Sequence, residues 1–307
     1  MSYLLKLIVL ISVISCGKPE VSYLGQKLPG TIPELFAPSI VNTDSVELNA
    51  VFNNSMTEFF FTRMDKGSSV IYHSEYMDGR WSSPQPLRMF ADTTVTSTAV
   101  DMSVTPDGKT MYFLGIYPQD STIKATADIY ASQKVDGQWQ LATKVGHPIS
   151  TDLYSEAYPV VVSDGSLYFV SNRPGGIGKQ DIYRAQYLGN GKFDIPRSIG
   201  PNVNTELGSG DTYVAPDESY LISNKRHPDK PGLYVSFKKN DQWQPLIYLG
   251  EPINSEWTDF CPYMSPDGKY FFFSRRYSDP PDSGWDGVTE GEVYWVDASV
   301  IFKLKDK

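Results

Sequence analysis

The sequence YPVVVSDGSLYFVSNRPGGIGKQDIY, residues 158–183, and the sequence CPYMSPDGKYFFFSRR, residues 261–276, share one pattern. In each, an apolar strand leads through an Asp-Gly turn into an aromatic strand, and a loop of variable sequence follows. Three weaker copies start near Ala50, Val100 and Thr212. The equivalent turn positions lie 50 to 57 residues apart, at Ser55, Asp107, Asp164, Asp217 and Asp267. A repeat of short strands at about this length is typical of a β-propeller, whose blades are four-stranded sheets.

Each copy divides into four strands, a to d. In the third copy we expect strand a at about 157–162, strand b at 166–171, strand c at 181–186 and strand d at about 193–199. A second tight turn with an aromatic residue follows strand c, as in DGRW and DGQW. Asp-Gly and Asn-Gly favour the two-residue turns of hairpins. The fold class is therefore all-β, and the aromatic residues are predicted to pack between blades.

The fifth copy ends without a strand d, and a matching segment occurs near the start of the chain. PELFAPSIVNTDSVE, from Pro33, aligns with PLIYLGEPINSEWTD, from Pro245, which is strand d and its exit in the fourth copy. The sequence thus predicts a β-propeller of five four-stranded blades, with the N-terminal segment closing the last blade and hiding its edge. Six blades are the alternative. The propeller is expected over residues 31–297, with a tail at 298–307 that packs outside it.

The first residues resemble a bacterial export signal. Lys6 lies next to the apolar run LIVLISVI, which is too short to span a membrane. VISC, ending at Cys16, resembles a lipobox, in which the cysteine is acylated and becomes the mature N-terminus. We expect a signal peptide at 1–15, then lipidated Cys16 and a tether to residue 30; ordinary signal cleavage is the alternative. The chain would then be exported and lipid-anchored in the bacterial envelope, with the outer membrane favoured.

Composition narrows the classes of partner and of site. The net charge of −9 disfavours nucleic acid and anionic bilayer surfaces, because both select a basic face. With Cys16 acylated, Cys261 is predicted to be a small core residue without a disulfide partner. The three histidines lack zinc-ligand spacing, and no Gly-x-Ser-x-Gly motif occurs. We expect no cofactor and no catalytic set, and a bound calcium ion is an alternative without a supporting motif.

Two motifs carry a resemblance to a known family. SPDGK before an aromatic strand, and SNRPGG followed by a glycine and DIY, resemble the repeat of TolB-type β-propeller proteins of the bacterial envelope. The resemblance covers about residues 31–297, although the first copy has NNSMTE and the fourth has PDES at the turn. It implies a propeller and leaves function open, because such proteins include scaffolds for envelope proteins and sugar-active members.

Loop lengths single out one face of the predicted propeller. The a–b and c–d turns are short and uniform, whereas the b–c loops range from FTRMDKGSS to SRRYSDPPDSGWDGVTEG. The b–c loops share a face with the d–a crossovers, which connect one blade to the next. Since variable loops on a regular scaffold commonly bind ligands, we expect an envelope protein or glycan to bind this face.

Charged residues recur beside that face. An acid stands near the start of every strand a: Glu47, Asp101, Glu156, Asp211 and Asp259. Cations follow strand b in four copies, with Arg63, Arg173, Arg226 and Arg275 as candidates. Three acids lie eight residues before the turn position and two lie six before. Because both offsets are even, the carboxylates could share an orientation and form a ring at the channel mouth. The favoured interpretation is that acids and cations pair and serve the fold.

Two tryptophans complete the candidate site. Trp257 lies in a d–a crossover and Trp285 in the insertion at 277–291. Either residue could stack on a sugar or anchor a partner; burial of Trp257 and a mobile loop around Trp285 are the alternatives. The leading hypothesis is a non-catalytic binding propeller. The competing one is a carbohydrate-active enzyme, which needs two carboxyl groups about 5–10 Å apart.

Overall fold

The computed structural model describes residues 23–65, 67–92, 95–117, 126–278 and 288–305. Within these ranges the antiparallel pairings group the strands into five sets of four, which we call blades, and single parallel pairs, Val46–Gly291 and Ser69–Thr98, join three of these sets into one larger sheet. Strands a to d lie side by side in each blade, and strand a lines a central channel. In the described part of the chain, no helix is long and apolar enough to cross a membrane.

Each of the first four blades takes its strands a to d from one continuous stretch of the chain. The first blade contains β2 (Val46–Phe52), β3 (Glu58–Asp65), β4 (Ser68–Met77) and β6 (Gln85–Pro86). The second contains β7 (Thr98–Val104), β8 (Thr110–Ile116), β9 (Asp128–Val135) and β11 (Thr143–Lys144). The third contains β12 (Glu156–Val161), β13 (Leu167–Ser171), β14 (Asp181–Ala185) and β17 (Arg197–Ser198). The fourth contains β18 (Ser209–Val214), β19 (Tyr220–Lys225), β20 (Gly232–Lys239) and β22 (Ile247–Tyr248).

The fifth blade contains β23 (Thr258–Met264), β24 (Tyr270–Ser278), β25 (Val288–Asp297) and β1 (Glu34–Leu35). Short strands form or extend the c–d hairpins: β5 (Arg80–Trp81), β10 (Gln138–Trp139), β15 (Tyr187–Gly189), β16 (Lys192–Phe193) and β21 (Gln242–Trp243). The tail forms the short helix α1 (Ser299–Phe302). In the third blade, strands a to c lie within a residue of their expected positions. The expected strand d is divided between β16, which pairs with β15 in the c–d hairpin, and β17, which pairs with strand c.

The N-terminal segment closes the last blade, as its alignment with the fourth copy predicts. Glu34 and Leu35 pair antiparallel with Trp295 and Tyr294. Phe36 is fully buried, with its ring 5.0 Å from the rings of Phe272 and Trp295. The chain therefore forms its last sheet from residues near both of its ends, and β1 covers the edge that β25 would otherwise expose.

A second contact brings part of the predicted tether into the fold. Tyr23 is buried, its ring lies 4.9 Å from that of Tyr270, and its hydroxyl donates to Asp267 Oδ1 at 2.6 Å. Leu24 is buried beside it. The packed structure thus begins before residue 31, where the propeller was expected to start.

The d–a crossovers are fixed to strand c by one repeated contact that the sequence analysis missed. The Asn254 side chain accepts from Leu233 N at 2.7 Å and donates to Leu233 O at 3.0 Å. Asn204 and Asn42 hold Ile182 and Val293 in the same way. These bonds satisfy the buried N–H and C=O of one strand residue and hold each crossover in a defined position.

A buried carboxylate joins the first two blades. Glu58 accepts from Lys134 Nζ at 2.7 Å and contacts His73 Nε2 at 2.8 Å. Burial alone would raise the pKa of Glu58, but the hydrogen bonds and charges of His73 and Lys134 outweigh it and lower the pKa to about 2. Glu218 joins the third and fourth blades similarly, through Arg184 and Lys238.

This lowered pKa predicts a loss of stability in acid. A carboxyl group with a pKa of about 2 in the folded state and 4.5 as its ordinary value stabilises the fold above pH 4.5. That contribution disappears as the pH falls from 4.5 towards 2. We expect Glu58→Gln to lower the free energy of unfolding at neutral pH by about 1–2 kcal/mol, the full linkage value being reduced by solvent screening. Urea unfolding across this pH range should show a smaller acid loss in the variant than in the wild type.

The exposed Glu34 supplies the matched control. Glu34→Gln should leave both the neutral stability and the acid slope unchanged within about 0.5 kcal/mol. An unchanged acid slope in Glu58→Gln would show that the Glu58 contacts do not contribute to acid unfolding.

Candidate functional site

Three of the five predicted acids are neutralised inside their own blades. The pairs are Glu47–Arg63 at 2.7 Å, Glu156–Arg173 at 3.0 Å and Asp259–Arg275 at 2.8 Å. These carboxylates are almost fully buried, and each also accepts the backbone N–H of a crossover residue: Thr43, Thr151 and Ser255. The predicted cations therefore contact the predicted acids, and both fix the crossover that leads into strand a.

The fourth blade uses a different cation for the same purpose. Lys225 is buried, and its Nζ donates to Val203 O at 2.8 Å and Ser209 Oγ at 2.6 Å. Burial lowers the pKa of Lys225 to about 8, with a smaller opposing effect from Asp181. The candidate Arg226 is exposed at the start of the b–c loop and does not take part in this contact.

The remaining acids, Asp101 and Asp211, occupy a different layer of the channel. Every strand a contains a β-bulge, seen as a register shift at 48/51, 100/103, 157/160, 209/212 and 260/263. A bulge inserts one residue and reverses the alternation of the side chains beyond it. Asp101 lies within its bulge with φ +56°, and Asp211 lies within the bulge of the fourth blade. The expectation of one five-membered carboxylate ring was therefore wrong, since the even offsets ignored this extra residue.

The bulges bring one polar cluster together at the channel centre. Cys261 Sγ lies 3.2 Å from Asp211 Oδ1 and 3.6 Å from Asp101 Oδ1. Asn49 Nδ2 donates to Asp101 Oδ1 at 3.0 Å. One oxygen or sulfur atom from each of Asp101, Asp211 and Cys261 lies within 4.8 Å of the others. We call Asp101, Asp211 and Cys261 the channel triad.

The carboxyl groups of the triad are hard to ionise together. Burial, and next the charge of Asp211, raise the pKa of Asp101 well above its usual range. Burial also raises the pKa of Asp211, while the Cys261 thiol and the charges of Arg226 and Arg276 oppose that rise. Two close, buried carboxyl groups of this kind share protons instead of both ionising freely.

Two cavities meet at the triad, and Asp101, Asp211 and Tyr158 contribute to both. The upper cavity, of about 250 Å³, lies towards the b–c loops and includes Gly67 from the first of them. The lower cavity, of about 390 Å³, lies towards the a–b turns and extends to Phe302 of α1. The larger described cavity is thus on the face opposite to the expected binding face, while the triad borders both cavities.

The crossovers present the predicted Trp257 together with exposed side chains that the sequence analysis did not single out. Leu153, Leu207 and Trp257 lie at equivalent positions in the crossovers into the third to fifth blades. Each lies three residues after the buried residue that bonds to strand c: Ser150, Asn204 and Asn254. Leu153 is 81% exposed and Leu207 36%, and Trp257 is half-buried against Tyr277, 5.3 Å between ring centres. An exposed acid precedes each of them: Asp152, Glu206 and Glu256. We call these six residues the crossover rim.

Two predicted residues lie outside the described part of the chain. Trp285 falls in the range 279–287, and Cys16 precedes residue 23. The binding role of Trp285 and the lipidation of Cys16 therefore remain predictions.

The donor atoms of the triad limit which metal could be held there. Calcium takes six to eight oxygen ligands, and two carboxylates with a thiol match it poorly. Zinc accepts thiolate and carboxylate ligands in a tetrahedral arrangement and would fit better. A second group of ligand residues, Glu58, His73 and Glu75, is already in contact with Lys134.

Known proteins share this fold at low sequence identity. No protein-family model matches the sequence, and no curated protein matches it significantly. Among solved structures, a glycoside hydrolase superposes with a TM-score of 0.54 at 10% identity, over 89% of this chain and 92% of that one. The catalytic domain of the GH62 α-L-arabinofuranosidase of Coprinopsis cinerea gives 0.51 at 10% identity, over 87% and 94%.

TolB from Acinetobacter baumannii is also among the similar structures. It gives a TM-score of 0.49 at 15% identity, and the match covers 83% of this chain. This chain spans 57% of the length of that protein. At these identities the likenesses show the fold alone. The chain is an all-β propeller, similar in fold to these solved structures, and its channel and crossovers hold the residues whose chemistry the fold itself does not use.

Proposed function

We propose that the protein is a non-catalytic binding module whose protein partner docks on the face formed by the b–c loops and d–a crossovers. The observation that carries this proposal is the crossover rim. The crossovers into the third to fifth blades carry an apolar side chain at the same structural position, exposed at Leu153 and Leu207 and half-buried at Trp257, and each crossover is fixed by buried polar contacts. Exposed apolar side chains on a rigid frame are typical of protein interfaces.

Charge supports the same face. Each apolar residue of the rim follows an exposed acid, and the triad contributes two more carboxyl groups at the channel centre. An acidic surface around apolar contacts favours a partner with basic residues and repels other acidic surfaces. The location proposed for this interaction is the bacterial envelope, with the chain anchored through Cys16.

A glycan-hydrolysing enzyme is the second candidate, and the geometry supports it less. Hydrolysis needs two carboxyl groups that flank the sugar, one of them protonated. Glu47, Glu156 and Asp259 are held in buried ion pairs. Asp101 and Asp211 have oxygen atoms within 4.8 Å of each other, which leaves little room for a sugar and a water between them.

Site-specific photo-crosslinking in the native host tests the proposed docking face. A benzophenone amino acid at Leu153 should give a discrete, protease-sensitive adduct, because this side chain is the most exposed apolar residue of the rim, at 81%. The matched position is Ile195, which is 71% exposed in the c–d segment of the same blade and should give no such adduct.

Two results would contradict the proposal. Equal adducts from Leu153 and Ile195 would indicate non-specific contact. Release of sugar from an envelope polysaccharide by the wild type, lost in Asp101→Asn, would establish the enzyme instead.

A further inference from the structure

The upper cavity has apolar walls and an acidic floor. Its walls include Leu48, Val100, Leu114 and Phe260, which are contributed by the first, second and fifth blades. Its floor is formed by Asp101 and Asp211, with Tyr158 beside them. A cavity of this kind favours a ligand whose stem is apolar and whose tip is polar and cationic.

The two floor carboxyl groups differ from the other strand-a acids in how they are paired. Glu47, Glu156 and Asp259 each have an arginine within 3.0 Å. Among the described residues, no lysine or arginine nitrogen lies within 4.0 Å of a carboxylate oxygen of Asp101 or Asp211. The charges of Arg226 and Arg276 oppose, without cancelling, the rise that burial causes in the pKa of Asp211. The same fold thus pairs three acids internally and places these two against a cavity.

The distance between the carboxylates of Asp101 and Asp211 suits a compact cation. An ammonium nitrogen about 2.8 Å from each of two oxygens can bridge oxygens up to about 5.6 Å apart. The nearest carboxylate oxygens of Asp101 and Asp211 lie within 4.8 Å of each other. A guanidinium group is planar and matches one carboxylate at a time, so it uses a converging pair less well.

We propose that the upper cavity binds the primary ammonium group of a lysine side chain from the docked partner, with the aliphatic stem against the apolar walls. This inference rests on the proposed docking face and specifies the chemistry recognised at its centre. The exposed acids of the crossover rim, Asp152, Glu206 and Glu256, would attract the same cation during approach. Arg226 and Arg276 reduce that attraction, so a free amine should bind only in the millimolar range.

The test uses the purified full chain and isothermal titration with n-pentylamine, which carries the ammonium group and an unbranched stem. We expect saturable binding, and about tenfold weaker binding by Asp101→Asn and by Asp211→Asn. n-Pentanol, which has the same stem without the charge, should not bind at the same site. Asp107→Asn, on an exposed a–b turn, is the matched control and should bind as the wild type does.

The substitutions at the floor should leave the fold intact. Asparagine has the shape of aspartate and keeps a side-chain oxygen, which can still accept from Asn49 Nδ2 at position 101 and from the Cys261 thiol at position 211. Unfolding curves of each variant verify this. Equal binding of pentanol, or unchanged pentylamine binding in both Asn variants, overturns the proposal. Zinc binding that needs the same carboxylates, with no binding of pentylamine, overturns it in favour of a metal site.

The crosslinking experiment separates this inference from the docking face. Asp101→Asn combined with the benzophenone at Leu153 should reduce the adduct, since the partner loses its lysine contact. An undiminished adduct leaves the docking face in place and removes the lysine pocket. An absent adduct in the wild-type background, with pentylamine binding intact, removes the docking face alone.

Discussion

Replacing Phe36 by alanine should lower the free energy of unfolding by about 3–5 kcal/mol, the range for a large aromatic side chain removed from a packed core. Phe36 has no exposed surface, and its ring contacts those of Phe52, Phe59, Phe272 and Trp295, at 5.0 to 6.4 Å between centres. These rings belong to the first and the last blade. The cavity left by the substitution would therefore lie where the two ends of the propeller meet.

Leu35 provides a control from the same strand. It is 36% exposed and pairs with Tyr294 through its backbone, which alanine preserves. Leu35→Ala should cost less than about 1 kcal/mol in urea unfolding of the full chain. Similar losses for the two variants would mean that β1 contributes through its backbone pairing, and that the packing of Phe36 is dispensable.

Removing the carboxylate of Asp259 is expected to have a comparable effect. Asp259→Ala would leave Arg275, which is largely buried, without the partner that it contacts at 2.8 Å. It would also remove the acceptor of the Ser255 N–H and hydroxyl, which donate to Asp259 Oδ2 at 2.6 and 2.8 Å in the wild type. Breaking one side of a buried pair costs about 3–5 kcal/mol, because the remaining charge is uncompensated. Chemical unfolding monitored by tryptophan fluorescence measures this loss.

Two further variants show whether the loss of stability comes from breaking the Asp259–Arg275 pair or from any change near this position. Glu256→Ala removes an exposed acid three residues away and should change stability by less than about 0.5 kcal/mol. Replacing Asp259 and Arg275 together by methionine should recover much of the loss, since no charge is left buried. A fully stable Asp259→Ala would show that this acid does not fix the crossover, and would reopen a ligand-binding role for it.

The fold was predictable because it is repeated. The second, third and fifth copies carry the same Asp-Gly turn before strand b, so the positions of the strands in the two divergent copies follow by comparison with them. The closing strand was predictable for the same reason, since the segment after Pro33 matches a complete strand d elsewhere. The division of strand d in the third blade was not foreseen; the second blade has the same division between β10 and β11, where no proline lies, so proline does not signal it.

The site was less predictable, because it depends on one residue per blade. The acids at offset eight and those at offset six have the same parity in an ideal strand. The bulge between the two positions separates them, and only the second set reaches the channel centre. A bulge is set by the pairing of neighbouring strands, so it has a weak signature in a single strand. The sequence analysis found Trp257 of the crossover rim but missed Leu153 and Leu207, which are single apolar side chains in polar loops, because the comparison of the repeats was directed at charged residues.

The pairing of β1 with β25 also determines how the propeller would bear a mechanical load. Asn42 bonds to Val293 across 251 positions of sequence, and Tyr23 holds Asp267 from the opposite end of the chain. Tension applied ahead of residue 23 would therefore pass into the hydrogen bond of Tyr23, then into the packing of Phe36, and only then into the sheet. Under such a load the two-residue strand β1 would separate from β25, and the load would next reach the first blade, whose Phe52 and Phe59 rings contact Phe36. The last blade is thus the part of the propeller that would bear a tensile load first.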